Sequence, residues 1–158
     1  HIWRVEARGF GGSLGICVAE DLPRRHDEAP KVRAYIDADV LIWHLRGERR
    51  ALNFLRRLRD AAEHEFWTGA MQRAEVVFFM RPDEQEQTLL FLAQFQTAGI
   101  DQDLVDEAGS LYRRWNPSHG IDPNDALLAA TAKATGGRIF CLNKKHYPMP
   151  DVLVTKAW

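Results

Sequence analysis

From Pro30 onward, short apolar runs alternate with longer stretches whose apolar residues recur every three or four positions. The short runs predict buried strands; the longer stretches predict helices with one buried face. Val32 to Ile36 reads as a strand, and Asp39 to Leu45 and Glu48 to about His64 read as helices. In the longer of these, Leu52, Leu55, Leu58 and Ala62 share a face while Arg56, Arg57 and Arg59 turn away. Phe66 to Gly69 suits a short strand. Ala70 to Arg81 predicts an apolar helix that stops at Pro82, since proline disfavours helix in the residue before it. Pro82 at a first helical position, with Asp83, Glu84 and Glu86 behind it, starts a further helix to about Thr97.

Asp101 to about Trp115 predicts another helix, Asn116 to Gly120 a loop, and Pro123 to Thr135 a helix ended by Gly136-Gly137. Arg138 to Leu142 and Val152 to Thr155 complete the strands. Strand alternating with helix implies an α/β protein, a three-layer α/β/α sandwich around a mainly parallel sheet. Ligands in such sheets bind at the carboxyl ends of the strands. Asp37 and Asn143 each follow a predicted strand and therefore share that rim.

Residues 1–31 differ from the rest. They hold Gly9, Gly11, Gly12 and Gly15 and close on a charged stretch from Asp21 to Pro30. The chain begins at His1, so this segment is expected to be an upstream extension or an expression-derived remnant, with a natural start near Val32 and the folded domain over 32–158.

Composition narrows the chemistry. A chain of 158 residues, 46% of them apolar, suits one domain with a sizeable core. Lys and Arg number 21 against 22 Asp and Glu, a net charge of −1, so no global basic field advertises nucleic acid. A local patch exists: Arg46, Arg49, Arg50, Arg56, Arg57 and Arg59 against Glu48 alone between positions 46 and 59. It reads equally as an RNA contact or as a solvated helix face. Cys17 and Cys141 lie far apart and in no metal spacing, which fits reduced thiols in the cytoplasm. No apolar run approaches the roughly 18 residues of a membrane span, and no secretory signal pattern is present. The six histidines are scattered, with no HExxH or CxxC, which disfavours zinc. His119 and His146 read as loop residues, and Trp43, Trp67 and Trp115 as core.

Three acids stand where burial makes a charge costly: Asp37 after Ala34-Tyr35-Ile36, Glu75 inside Ala74-Glu75-Val76-Val77-Phe78-Phe79-Met80, and Asp125 opening Asp125-Ala126-Leu127-Leu128. Such charges need a partner, hydrogen bonds or a metal. Each also has a plainer reading. Asp37 suits a strand-end turn, Asp39 the cap of the next helix, and Asp125 a first-turn acid behind an Asp122 cap and Pro123. Glu75 could lie on a narrow polar stripe with Gln72 and Arg73. Converging carboxylates suit Mg²⁺ or Mn²⁺, which take oxygen ligands from few protein groups, water and phosphate. Lys144 and Lys145, at the same rim, are candidates to meet a substrate's phosphates or to form a solvated turn.

Four segments resemble one family in order. Tyr35-Ile36-Asp37-Ala38-Asp39-Val40-Leu41-Ile42 resembles the opening motif of the PIN-domain ribonucleases. Ala74-Glu75-Val76 fits their second acid, Asp122-Pro123-Asn124-Asp125-Ala126-Leu127-Leu128-Ala129-Ala130 their third-acid helix, and Cys141-Leu142-Asn143-Lys144-Lys145-His146-Tyr147 the block after the next strand. The match spans about 33 to 155 and is nearest to the VapC-like toxins of toxin–antitoxin modules. The resemblance implies a Mg²⁺- or Mn²⁺-dependent endoribonuclease that hydrolyses RNA with metal-activated water, a homodimer, and inhibition by a cognate antitoxin protein. It places metal-site roles on Asp37, Glu75 and Asp125 and a catalytic position on Asn143, where the family often has Asp; the amide brings no charge.

Two rivals use the same residues. Asp37-Ala38-Asp39-Val40 also resembles the aspartyl-nucleophile loop of haloacid-dehalogenase-type phosphatases. A PIN-like fold without catalysis, serving as an RNA- or antitoxin-binding module, is the other.

Overall fold

The computed structural model describes residues 29–158. The expectation for the N-terminal segment therefore lies, up to residue 28, outside the described residues. Five strands, β1 (Val32–Ile36), β2 (His64–Gly69), β3 (Gln96–Ala98), β4 (Arg138–Cys141) and β5 (Leu153–Lys156), form one sheet in the order β3-β2-β1-β4-β5. Every pairing is parallel. Ala34, Tyr35 and Ile36 of β1, the central strand, are all fully buried, as its continuous apolar run requires when both faces are covered.

Successive strand residues point to opposite faces, and this splits the core in two. Tyr35, Ile139 and Cys141 pack beneath α5 (Gln102–His119) and α6 (Pro123–Thr135). Ala34, Ile36 and Phe140 pack beneath α1 (Ala38–Leu45), α2 (Arg49–Asp60), α3 (Ala70–Phe79) and α4 (Gln85–Leu92). The expected α/β/α sandwich is the observed one.

Several boundaries are corrected. Helix α2 ends at Asp60, and its buried face is Ala51, Phe54, Leu55 and Leu58; Ala62 is exposed at φ 56. The chain turns there because His64 must align with Val32 to begin β2. The expected helix from Pro82 to Thr97 is a 3-10 turn (Pro82–Glu84), then α4, then the edge strand β3, too short to show a period. Asn116 to Gly120 is the last turn of α5 rather than a loop: the helix runs on through Pro117 until Gly120, at φ 62, ends it by donating to the Asn116 carbonyl at 2.8 Å. Trp67 and Trp115 pack against the core as expected, but Trp43 is 43% exposed.

Candidate active site at the carboxyl edge of the sheet

Asp37 leaves β1 and caps α1, with its backbone N–H still bonded to the Phe140 carbonyl of β4 at 3.0 Å. Its Oδ1 accepts from the Ala38 N–H at 2.8 Å and its Oδ2 from the Tyr147 hydroxyl at 2.7 Å. Burial, then the neighbouring Asp39 charge, pushes this carboxyl up to about 7, against the opposing pull of the Tyr147 bond. Asp39 is not the cap, contrary to expectation. It accepts from Val40 N–H at 2.7 Å and reaches across to the Leu142 N–H at 3.1 Å, tying α1 to the exit of β4. Burial raises its pKa as well.

Glu75 comes from α3. Its Oε1 accepts from the Asn124 side-chain amide at 2.9 Å, and its pKa is raised by burial and by the charges of Asp122 and Asp39. Asp125 sits at the third position of α6, where it accepts from the Asp122 N–H at 3.1 Å while Asp122 accepts from its own N–H at 2.8 Å. The plainer capping role is thus real, and it also fixes where the carboxylate points. Burial raises the Asp125 pKa, and Glu75 adds to the rise. Asp37 feels Asp125, Asp125 feels Glu75, and Glu75 feels Asp39. Each of these carboxyls thus feels the charge of another acid, across elements that meet at the carboxyl edge of the sheet.

Asn143 stands at the same rim but is exposed. Its Oδ1 accepts from the Lys145 N–H at 3.2 Å, and its amide nitrogen lies 2.9 Å from His146 Nε2. Lys144 and Lys145 are exposed in the 3-10 turn that follows β4. His146 Nδ1 lies 3.8 Å from Asp125 Oδ2, so this histidine belongs to the rim and is more than the loop residue expected. Buried Cys141 has its thiol pushed up to about 12 and stays protonated and inert.

Periodicity left Tyr147, Asn124 and Thr68 without a role and put Gln72 on a polar stripe with Glu75, whereas Gln72 is buried. Gln72, 2% exposed, donates to the Asn124 carbonyl at 3.2 Å, and Thr68 donates to the Ile36 carbonyl at 2.9 Å. Asn124 and Tyr147 lie within the motifs quoted above, and a buried polar tip beside an acid was the available signal.

Among the described residues, no Lys or Arg forms an ion pair with Asp37, Asp39, Glu75 or Asp125. Nor do three His, Cys, Asp or Glu side chains already stand together as a ligand set. The donors are nevertheless oxygens of raised pKa whose repulsion lacks a strong cationic partner, a chemistry that fits a hard divalent cation.

A doubly covered parallel sheet with acids gathered at its carboxyl edge defines a class of α/β/α proteins with an acid-lined site. The family model described as PIN domain matches residues 34–150, and the chain belongs to that family. It is 33% identical over 119 residues to "Ribonuclease VapC10" of Mycobacterium tuberculosis, covering 75% of this chain and 88% of the relative. "Ribonuclease VapC19" of the same organism is also 33% identical over 119 residues, covering 74% of this chain and 94% of the relative. Among solved structures, a toxin–antitoxin complex from Klebsiella pneumoniae aligns with TM-score 0.64 at 23% identity, covering 79% of this chain and 98% of that one. VapBC2 from Rickettsia felis, bound to a promoter DNA fragment, aligns with TM-score 0.65 at 17% identity, covering 78% and 98%. The phosphatase reading falls with this membership.

Proposed function

We propose that this chain is an endoribonuclease dependent on Mg²⁺ or Mn²⁺ and the toxin of a toxin–antitoxin pair, acting in the cytoplasm. The observation that carries the reading is the set of buried or half-buried acids Asp37, Glu75 and Asp125, each hydrogen-bonded at the carboxyl edge of the sheet, in a chain 33% identical to named VapC ribonucleases. Asp37, Glu75 and Asp125 hold the cation, with Asn143 as a neutral fourth group. A cation held there would offset charge on the scissile phosphate and lower the pKa of a bound water, so that hydroxide becomes available as nucleophile. Asp37 is kept in one orientation by Ala38 and Tyr147. Asn124 holds Glu75 Oε1, which leaves Oε2 either to hold the cation, directly or through water, or to act as general base, a task its raised pKa suits. Lys144 and Lys145 meet the phosphates flanking the cleaved bond.

The antitoxin and a second copy of the chain are the protein partners. Phe78 and Phe79 are 77% and 83% exposed, and Phe79 lines a groove of about 670 Å³ with Ile42, Leu45, Val76 and Met80 and with the charged Glu75 and Arg81. A free chain rarely leaves such a surface uncovered. Among the described residues no helix is long and apolar enough to cross a membrane.

The decisive experiment is cleavage of a mixed RNA pool with Mn²⁺, with EDTA, and with Asp37→Asn. Cleavage is expected with Mn²⁺ alone and only from the unsubstituted protein; full activity of Asp37→Asn overturns the assignment. A second reading, a PIN fold that binds RNA or antitoxin without cleaving, draws on the amide at Asn143 and on side chains that have not closed into a ligand set. Calorimetry separates the two, because that reading expects no Mn²⁺ binding.

A further inference from the structure

We propose that the outward face of α2 is a docking surface for the ribose–phosphate backbone of the RNA substrate, with Arg49, Arg56 and Arg57 as its main contacts. The choice of RNA rests on the ribonuclease reading above; the face itself rests on the following geometry. Ala51, Phe54, Leu55 and Leu58 point into the core and fix the rotation of the helix. The 3.6-residue repeat then turns Arg49, Asn53 and Arg56 outward, flanked by Arg50 and Arg57, and all five are exposed. Arg49 and Arg56 are seven residues apart, as are Arg50 and Arg57, which makes two rows with a spacing of ~10.5 Å.

Ordinary surface chemistry does not account for this set. Arg50 pairs with Glu48 and Arg59 with Asp60, both at 3.2 Å, but among the described residues no carboxylate pairs with Arg49, Arg56 or Arg57. Arg57 and Arg59 lie in the last turn, where the helix dipole favours cations. Arg49 and Arg50 lie in the first turn, where it opposes them, and that turn holds no acid. Only the N-cap Glu48 offsets the dipole there, so Arg49, Arg56 and Arg57 form an exposed cationic face, free to take phosphates, in a chain of net charge −1. The aromatic and cationic pairing that suits nucleic acid is present too: the Arg46 guanidinium lies 5.6 Å from the centre of the ring of Trp43.

The face is also connected to the site. Helix α1 has Asp37 at one end and Arg46 at the other, eight residues that span ~12 Å. In this proposal a strand whose scissile phosphate sits at Asp37 runs along α1 to Arg46 and on to α2. Phosphates held there offset the repulsion that the carboxylate pocket itself exerts on a polyanion.

The test measures binding of a fluorescein-labelled 30-nucleotide RNA of mixed sequence to full-length Asp37→Asn protein across a salt series. The same measurement is made after adding Arg49→Gln, Arg56→Gln and Arg57→Gln together, and again with Lys at those positions. With Gln, binding at 0.1 M salt is expected to weaken at least tenfold. The slope of log affinity against log salt should fall by about 2, since each lost single-strand contact removes ~0.7. The Lys set should keep most of that slope. The thermal midpoint and the far-ultraviolet circular dichroism spectrum, unchanged in the Gln set, certify an intact fold. An unchanged RNA affinity and slope overturns the proposal. So does a Gln set that still binds RNA but loses a polyglutamate peptide, since the face then serves an acidic protein. Cleavage by the unsubstituted protein is scored separately: its absence defeats the nuclease reading while a salt-sensitive Arg face still stands, and cleavage with unchanged KM in an active Gln variant defeats the face alone.

Discussion

Helices α6 and α3 each deliver one carboxylate to the same rim, and they are held by different physics. Helix α6 is locally determined. Asp122 caps it, Asp125 closes the reciprocal bond, Gly136 at φ 67 ends it, and Ala126, Leu128, Ala129, Ala130 and Ala132 are buried at about 1% exposure or less. Helix α3 begins at Gly69 with no side-chain cap, and only Gln72 and Val76 are buried along it. A methyl group on Gly69 would collide with the Gln72 side chain, so the start of α3 is fixed by that glutamine and by its reach to Asn124. Asp125 is oriented by its own helix; Glu75 is oriented by a neighbour's. Pre-organisation of the site is therefore uneven, and its weaker half lies next to the uncovered Phe78 and Phe79.

The largest expected effects treat the two helices alike. Glu75→Gln and Asp125→Asn should each lower the rate of RNA cleavage more than about 100-fold, the range for a lost acid–base group. Equal losses would sharpen the pairing; a near-normal Glu75→Gln would break it by removing α3 from the chemistry. Asn124→Ala comes next. With Glu75 released, Mn²⁺ affinity measured by calorimetry should fall by about tenfold, the lower end for an outer-shell partner. An unchanged affinity would mean that Glu75 needs no such support.

Stability separates the helices further. Asp122→Ala removes the α6 cap and should cost about 1 kcal/mol in denaturant unfolding. Phe78→Ser with Phe79→Ser should change the stability of the isolated chain by no more than about 0.5 kcal/mol while abolishing self-association by sedimentation, because those rings contact solvent. A large loss of stability would show that the α3 end is core after all.

A pH trend at Asp37 tests the burial of the site itself. Its folded-state pKa, about 7, lies above the ordinary 3.8. This group's contribution to stability is therefore fully present below pH ~4 and is lost as pH rises through about 7. Metal-free protein should show its thermal midpoint falling relative to Asp37→Asn between pH 5 and pH 9, and saturating Mn²⁺ should erase that difference. Parallel melting curves for the two proteins would contradict the burial cost.

The sheet and both acid-bearing helices were legible because apolar runs and caps are local signals. Pro123 behind Asp122, and the continuous run from Ala34 to Ile36, each state their own structure. Strand β3 was not legible: its three residues pair with Trp67 to Gly69, and only Ala98 is buried. Asp37, Glu75 and Asp125 stood out in the sequence because charge inside an apolar run is conspicuous. Their supports were missed because Tyr147 meets Asp37 across 110 positions and Asn124 meets Glu75 across 49, separations that no window along the sequence spans. The mistaken reading of Asp39 as a cap had the same origin, since its true partner is the Leu142 N–H beyond β4.

The long reach from Asp37 to Tyr147 has a consequence in time. Chains emerge from the ribosome N-terminus first, at ~5–20 residues per second. Strand β1 is made early, yet its place in the sheet is complete only when β4 docks beside it more than a hundred residues later. A growing chain that presents Asp37 without β4 and Tyr147 carries an acid with neither its hydrogen-bond donor nor its wall. Synthesis itself thus delays the site, and a cell making this protein has that interval in which to supply whatever restrains it.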